Sequence, residues 1–440
     1  METPVNKKIF CLSLGCSKNK VDSERIAANL SDAGFVMVSE AASADIAFVN
    51  TCGFIRAAVE ENIAAILDLI ELKNRGDLEK VGVVGCLVAR YGEELKRELP
   101  EVDFWAGCED IASVLISFGA SSGASNRRSL APGYSAHVRY LKISEGCDMA
   151  CSFCTIPSIR GPLRSRPIAE LAQEAEGLTE AGAAEICLVA QDLSSYGTDK
   201  GSRLLIPLLD ALESSLPADI WIRLLYLQPS GVDRALLERV AGGRQVLPYL
   251  DIPVQHASPR ILGMMNRGGD IDIVSIFETA RAIRPDFALR TTCMVGFPGE
   301  TRADFASLLR FVERVRFDRM GAFEFSPEEG TSAAGLPGQV PPRTKKSRLE
   351  RLMSLQAEIS LSRQSAFVGR ELEVLVDAVN GDGSAEGRSF REAPEVDGVI
   401  DLPRSEIVFR VGEHVRAEIT EAFEHDLSAR AVGARAAVPA

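Results

Sequence analysis

Three times in the N-terminal quarter of the chain a short apolar run ends in a cysteine: FCLSLGC at Cys16, IAFVNTC at Cys52 and VGVVGC at Cys86. The cysteines are 36 and 34 residues apart, the length of one strand–helix unit. Strands are read at 9–14, 46–49, 81–85 and 102–105, with helical spacing between them. Strand, helix, strand at this rhythm implies a doubly wound, mostly parallel α/β sheet. In such a sheet the carboxyl ends of neighbouring strands converge on one crevice, so three distant thiols become neighbours. The alternative is three thiols buried in a core, a common place for free cysteine. Cys11, Cys187 and Cys293 fall inside strands and read as that kind, whereas Cys108, which also follows an apolar segment, DFWAG, is ambiguous, a bystander near the crevice being one reading. This first domain is expected to span 5–123.

Residues 121–136, SSGASNRRSLAPGYSA, have no apolar period and read as a linker. From about 137 the alternation resumes, with strands expected at 138–144, 185–190, 221–226, 249–254, 289–295 and 322–326. Six strand–helix units make an open, partial TIM barrel; a closed one needs eight strands and about 250 residues. The second domain is expected at 133–363. Just beyond its first strand stands Glu145-Gly-Cys147-Asp-Met-Ala-Cys151-Ser-Phe-Cys154, at the end of the barrel where active sites are built. A [4Fe–4S] cube normally takes four cysteines, so a local set of three leaves one iron open to another ligand. Gly146 lets the backbone approach closely, and Phe153 offers an apolar face to a bound ring. Zinc or a simple redox pair is the competing reading. Zinc wants a second ligand pair, and none of His137, His256, His414 and His425 has useful spacing.

After a Gly-, Ala- and Pro-rich loop ending at Pro342, the segment 345–367 places Leu349, Leu352, Leu355 and Ile359 on one helical face. From Glu371 the period changes to two: Leu372, Val374 and Val376 alternate, as do Val415, Ala417 and Ile419, with Gly-Asp-Gly at 381–383 as turn chemistry. A small OB-like β-barrel at 366–432 follows, and the last ten residues, AVGARAAVPA, read as a frayed tail.

Charge narrows the class of partner. The 440 residues carry 49 basic and 62 acidic side chains, a net of −13, which suits a basic partner better than a nucleic-acid backbone and argues against DNA. From 366 onward eight Arg stand against fifteen Asp and Glu, with Glu392, Glu395, Asp397 and Asp401 close together. That run reads either as a surface for a basic protein loop or as a solvated face. No stretch approaches the 18 to 20 apolar residues of a membrane span, and the start lacks the apolar run and cleavage site of a signal peptide. A cytoplasmic protein is expected.

The Cys147, Cys151 and Cys154 spacing, with an aromatic before the last cysteine, resembles the signature of radical S-adenosylmethionine enzymes. Two three-cysteine sites followed by a small β-barrel resemble, over essentially the whole chain, the radical S-adenosylmethionine methylthiotransferases, built from an N-terminal methylthiotransferase domain, a radical core and a TRAM domain. The resemblance implies two [4Fe–4S] clusters, one on Cys147, Cys151 and Cys154 and an auxiliary one on Cys16, Cys52 and Cys86, together with S-adenosylmethionine. YLKISEGC at 140–147, IPSIRGPLRSRP at 156–167 and GRSFREAPEVDGVI at 387–400 resemble the ribosomal-protein branch, which modifies an aspartate of small-subunit ribosomal protein S twelve.

In that family one S-adenosylmethionine methylates a sulfur held at the auxiliary cluster, and a second yields a deoxyadenosyl radical. The radical removes a β-hydrogen from the aspartate, and the substrate radical captures the methylthio group. An electron donor such as a flavodoxin or ferredoxin and a sulfur donor are implied. At barrel strand ends, Gln191 and Asp192 are candidates for the cofactor's methionine or ribose polar groups, Gln255 with His256 ends the fourth strand, and Arg290 is a candidate for the cofactor carboxylate. Structural hydrogen bonding is the alternative for each, and GFPGET at 296–301 reads as a strand-to-helix turn. The rivals are a transfer RNA methylthiotransferase and a non-catalytic iron–sulfur or zinc scaffold that binds the ribosome.

Overall fold

The computed structural model describes residues 6–119, 125–130, 135–267 and 271–434. The N-terminal sheet is wholly parallel, with order β2-β1-β3-β4-β5. Its strands are β1 (Lys8–Ser13), β2 (Val36–Val38), β3 (Ile46–Thr51), β4 (Lys80–Gly85) and β5 (Phe104–Ala106). Every residue of β3 is buried, as a central parallel strand covered on both faces requires. Helices α1 (Ser17–Asp32) and α4 (Ile111–Ser117) pack on one face through Ile26, Leu30, Val114 and Leu115. Helices α2 (Arg56–Asn74) and α3 (Cys86–Glu98) cover the other through Ile66, Leu69, Ile70 and Leu87. The expected strands are present apart from small shifts at their ends. The edge strand β2 was not expected, because three residues are too few to show a period.

The barrel strands are β6 (Val138–Lys142), β9 (Glu185–Val189), β10 (Trp221–Leu224), β11 (Tyr249–Asp251), β12 (Ala288–Val295) and β13 (Arg319–Glu324). A short antiparallel pair, β7 (Ser144–Glu145) and β8 (Arg164–Ser165), brackets the three-cysteine loop. The six strands form two parallel triplets, β6-β9-β10 and β11-β12-β13. The joint between triplets carries an isolated bridge from Ile222 to Val246. Helix α5 (Ile156–Arg160) follows the cysteine loop; α6 (Ile168–Glu180), α7 (Leu205–Ser215), α8 (Arg234–Ala241), α9 (Pro259–Met264), α10 (Ile273–Ile283) and α11 (Arg302–Val315) are the crossovers. Helix α12 (Pro342–Ser365) holds the leucines of the charged segment against the same core. Part of the expected linker lies outside the described residues. Within 125–130, Arg128 is buried and donates to Glu24 of α1 and Glu174 of α6, so this stretch is a strap between the first two domains.

The C-terminal strands β14 (Glu371–Val379), β15 (Ala385–Arg388), β16 (Ile400–Leu402), β17 (His414–Ala422) and β18 (Leu427–Ala434) close a barrel in the order β14-β15-β16-β18-β17. The first four residues of the expected tail belong to β18; 435–440 lie outside the described residues. This small barrel seals the amino end of the larger one. Glu185, at the start of β9, accepts from Arg223 at 2.5 Å and from Arg388 at 2.7 Å, all three buried. Arg319 pairs with Glu392 at 2.8 Å, Asp318 with Arg391 at 3.2 Å, and the Tyr249 hydroxyl donates to Asp397 at 2.7 Å.

Two sequence expectations are corrected by this interface. Arg290 lies near the amino end of β12 and donates to Asp251 at 2.9 Å and Asp397 at 3.3 Å, so it does not reach the cysteines. The acidic run is not a free patch: Glu392 and Asp397 are consumed inside the joint, and Glu395 pairs with Lys20 of α1.

Replacing Glu185 by Ala removes the carboxylate paired with the buried Arg223 and one of the two paired with Arg388, and should cost about 3–5 kcal/mol. The half-exposed Glu395, replaced by Ala, should cost less than about 1 kcal/mol. The guanidinium-induced unfolding midpoints of the two variants check this. Equal midpoints would contradict the account of the joint.

Candidate active site

The N-terminal trio is set by strand ends. Cys16 caps α1 directly after β1, Cys52 follows β3, and Cys86 is the first residue of α3. The chain crosses from β1 to α1 at Gly15, whose φ is +93°; a Cβ there would lie 2.7 Å from that of Cys52, so only glycine allows the approach. Asn19, fully buried one turn into α1, donates to the carbonyls of Leu14 and Thr51, both at 2.9 Å, and ties the ends of β1 and β3 together. Burial pushes the Cys52 thiol up to about 11, with the neighbouring charges of Cys16 and Cys86 adding to the shift. Cys86 moves the other way, down to about 6, because the Cys108 thiol donates to it at 3.6 Å and the Arg160 guanidinium adds its charge. Cys108 holds the shared proton and is raised.

The second trio lies in the loop between β7 and α5. The Cys147 amide donates to Gly161 O at 3.1 Å, Leu163 N–H to Asp148 at 2.9 Å, and Asn266 to Ala150 O at 2.7 Å, which pins the loop across its width. Backbone amides of Met149 and Ile156 donate to Cys147 and Cys154, each at 3.4 Å. Burial raises both thiols, Cys154 to about 11. Gly146 has φ +75°, and a Cβ there would meet Pro162 O at 2.0 Å.

All six cysteines line one cavity of ≈ 300 Å³ at the carboxyl end of the barrel. Its described lining includes Phe54, Met149, Phe153, Ile156, Leu227, Lys18, Tyr226, Gln191, Gln228, Gln255, Arg160 and Arg267, with no carboxylate and no imidazole. Soft sulfur donors without oxygen or nitrogen ligands fit iron–sulfur clusters. Two amide oxygens on the wall, those of Gln191 and Gln255, are buried without a partner among the described residues, so a ligand bearing ammonium or hydroxyl donors fits between them.

The roof is held down by charge. Arg90 of α3 donates to Gly53 O at 2.7 Å and reaches Glu328 of the barrel at 3.4 Å, and Glu328 also accepts from the Arg56 amide. Beside the cavity Lys142 of β6 is enclosed by Asp22, Glu109 and Glu145, so these three acids hold an ammonium group, not a metal. Arg160 joins Asp22 and Glu145 to the N-terminal trio.

Of the residues expected to contact a cofactor, Phe153 and Gln191 line the cavity, as does Gln255. Asp192 is buried and committed to Ser194, Ser195 and the Gln228 amide, shaping the loop after β9. His256 is fully buried; its Nδ1 accepts from the Ser258 amide at 2.9 Å. Sequence reasoning did not single out Asn19, Lys18, Tyr226, Arg267 or Arg160. Asn19 three residues after Cys16 was a readable signal, since a buried amide in the first turn after a strand-end cysteine can tie strand ends together. Arg160 had no such signal, because its partners belong to another domain.

A model described as Uncharacterized protein family UPF0004 matches residues 8–107, the Radical SAM superfamily matches 141–312 and the TRAM domain matches 368–432. Ribosomal protein uS12 methylthiotransferase RimO of Anaeromyxobacter sp. (strain K) is 43% identical over 452 residues, covering 98% of this chain and 95% of its own. The protein of the same name from Carboxydothermus hydrogenoformans is 40% identical over 435 residues, covering 96% and 98%. Among solved structures, the radical S-adenosylmethionine methyltransferase TsrM from Kitasatospora setae, with cobalamin and a [4Fe–4S] cluster bound, superposes with a TM-score of 0.55 at 15% identity, over 75% of this chain and 77% of that one. At that identity it supports the fold.

Two outcomes follow from the local geometry. Gly146→Ala should displace the Cys147 loop and lower reconstituted iron from about eight to about four atoms per chain, whereas Gly263→Ala, with open space around it, should leave iron unchanged. Burial lowers the His256 pKa to about 4, below its unfolded value of about 6.5. The neutral imidazole therefore contributes fully above pH 6.5, and its contribution fades as pH falls toward 4. Across that interval the wild type should lose about 3 kcal/mol more stability than His256→Asn; parallel curves would contradict the assignment.

Proposed function

Because the chain belongs to the ribosomal protein uS12 methylthiotransferase family, we propose that it transfers a methylthio group to the β-carbon of an aspartate of ribosomal protein uS12 by radical S-adenosylmethionine chemistry. The observation that carries this reading is the single cavity lined by both cysteine trios. When bound there, the two clusters and S-adenosylmethionine would supply radical and sulfur-transfer chemistry to one chamber.

The chain's own residues supply placement. Cys147, Cys151 and Cys154 would hold the radical cluster, and Cys16, Cys52 and Cys86 the auxiliary one. Gln191 and Gln255 present amide oxygens to the cofactor's donors, and Phe153 gives it an apolar surface. Asp192 positions the Gln191 loop through its three hydrogen-bonded partners. The N-terminal domain, fastened by Arg90 and Glu328, keeps water from a reactive radical. The parts at 5–123, 133–363 and 366–432 thus act as sulfur-holding roof, radical core and seal of the barrel's amino end.

An aspartate β C–H is too weakly acidic for an ordinary base, so abstraction by a radical suits this substrate. The family favours a basic protein over transfer RNA. An electron donor of the flavodoxin or ferredoxin class and a separate sulfur donor complete the reaction in the cytoplasm.

Mass spectrometry of small-subunit ribosomal proteins, from cells with and without the gene, should show one methylthio group on an aspartate of uS12 only when the gene is present. Reconstituted protein should carry about eight iron atoms, falling to about four in the Cys147→Ala/Cys151→Ala/Cys154→Ala chain. One zinc and no iron would overturn the assignment.

A further inference from the structure

Arg160 belongs to the barrel domain and closes α5, six residues after Cys154, yet its guanidinium reaches into the other trio. It is 2% exposed. Arginine has five N–H donors, and the side chain makes five contacts. Nε and Nη2 donate to Cys86 Sγ at 3.3 and 3.2 Å, Nη2 to Asn19 Oδ1 at 2.6 Å, and Nη1 to Glu145 at 2.9 Å and Asp22 at 3.2 Å. Every donor is engaged, so the group is fixed and its charge is aimed at one sulfur. A second donor reaches that sulfur, the Cys108 thiol at 3.6 Å.

The other two N-terminal thiols are treated differently. Among the described residues, neither accepts a hydrogen bond from a guanidinium: Cys16 makes its side-chain hydrogen bond to Asn19, a 3.9 Å contact that Cys86 shares, and Cys52 accepts a backbone bond at Phe54. One corner of the trio therefore faces a cation supplied by a different domain.

We propose that Arg160 is a positioning residue of the auxiliary site: by donating two hydrogen bonds to the Cys86 ligand sulfur it orients that ligand and raises the reduction potential of the cluster held there, with Cys108 as a lesser second donor. This rests on the reading that Cys16, Cys52 and Cys86 hold a cluster. The physical basis is that reduction adds negative charge to the cluster and its thiolates. Charge-assisted donors and a fixed cation at a ligand sulfur stabilise that charge and favour the reduced form. Because Arg160 comes from the barrel, the auxiliary cluster acquires this potential only when the two domains are docked.

The test uses the full-length Cys147→Ala/Cys151→Ala/Cys154→Ala chain, reconstituted so that only the auxiliary site is loaded, and follows the reduced cluster by electron paramagnetic resonance during a redox titration. Arg160→Gln should retain about four iron atoms and raise the oxidised-to-reduced ratio at a fixed potential about tenfold, equivalent to about 59 mV for a one-electron couple. Arg160→Lys keeps a cation beside Asp22 and Glu145 and guards against misfolding; it should move the ratio in the same direction by less. Cys108→Ala leaves the acid network intact and should move it roughly two- to threefold. An iron-loaded Arg160→Gln chain with a ratio within about twofold of its parent's would overturn the proposal. A parent chain that binds no iron would instead overturn the cluster assignment beneath it.

Discussion

Four charged side chains at the joint between the first two domains decide whether the cavity exists. Asp22 comes from α1, Lys142 and Glu145 from the start of the cysteine loop, and Arg160 from its end; all are at most 8% exposed. Removing one ion from water costs several kcal/mol, and such groups are tolerated in the interior only when each is paired. The set balances only if α1 is seated on the barrel, and that seating brings Cys16 and Cys86 over the Cys147 loop. The Glu145 carboxyl lies well below its usual range because Lys142 and Arg160 overcome the desolvation that would raise it. The joint should therefore be strong near neutral pH, with Glu145 ionised even in mild acid.

The barrel has its two ends assigned to different tasks. At the carboxyl end the strands deliver Gln191, Gln255 and the cysteine loop to the cavity. At the amino end Glu185, Arg223, Tyr249, Arg290 and Arg319 fasten the C-terminal barrel. Part of the acidity of that barrel has a structural use here, because two of its carboxylates, Glu392 and Asp397, neutralise Arg319 and Arg290 at the larger barrel's amino end. Arg391 adds the reverse pairing, a fully buried cation held by Asp318 and stacked on Phe367 at 3.7 Å.

The convergence of the six cysteines, the parallel sheet and the open barrel were legible because each rests on a short-range or periodic signal: cysteines at strand ends, three cysteines within eight residues, and apolar runs recurring at one unit length. The change to period two at Glu371 announced the small barrel for the same reason. Arg290 was misplaced because a residue inside a strand cannot be assigned to one end of a barrel without knowing where the strand starts; β12 begins at Ala288, which puts Arg290 at the far end from the cysteines. The acidic run was misread because its partners, Arg319, Arg290 and Lys20, lie 73, 107 and 375 residues away. Arg160 was invisible for that reason too, since all five of its contacts are fixed by tertiary structure.

The central claim is that both trios open on one chamber, and magnetic coupling between clusters measures it most directly. Two unpaired spins in one cavity perturb each other, so the electron paramagnetic resonance spectrum of the fully reduced holoenzyme should differ from the sum of two single-cluster chains, Cys147→Ala/Cys151→Ala/Cys154→Ala and Cys16→Ala/Cys52→Ala/Cys86→Ala, by added splitting and faster relaxation. A holoenzyme spectrum equal to that sum, at full iron content, would mean that the clusters sit in separate chambers and would contradict the account.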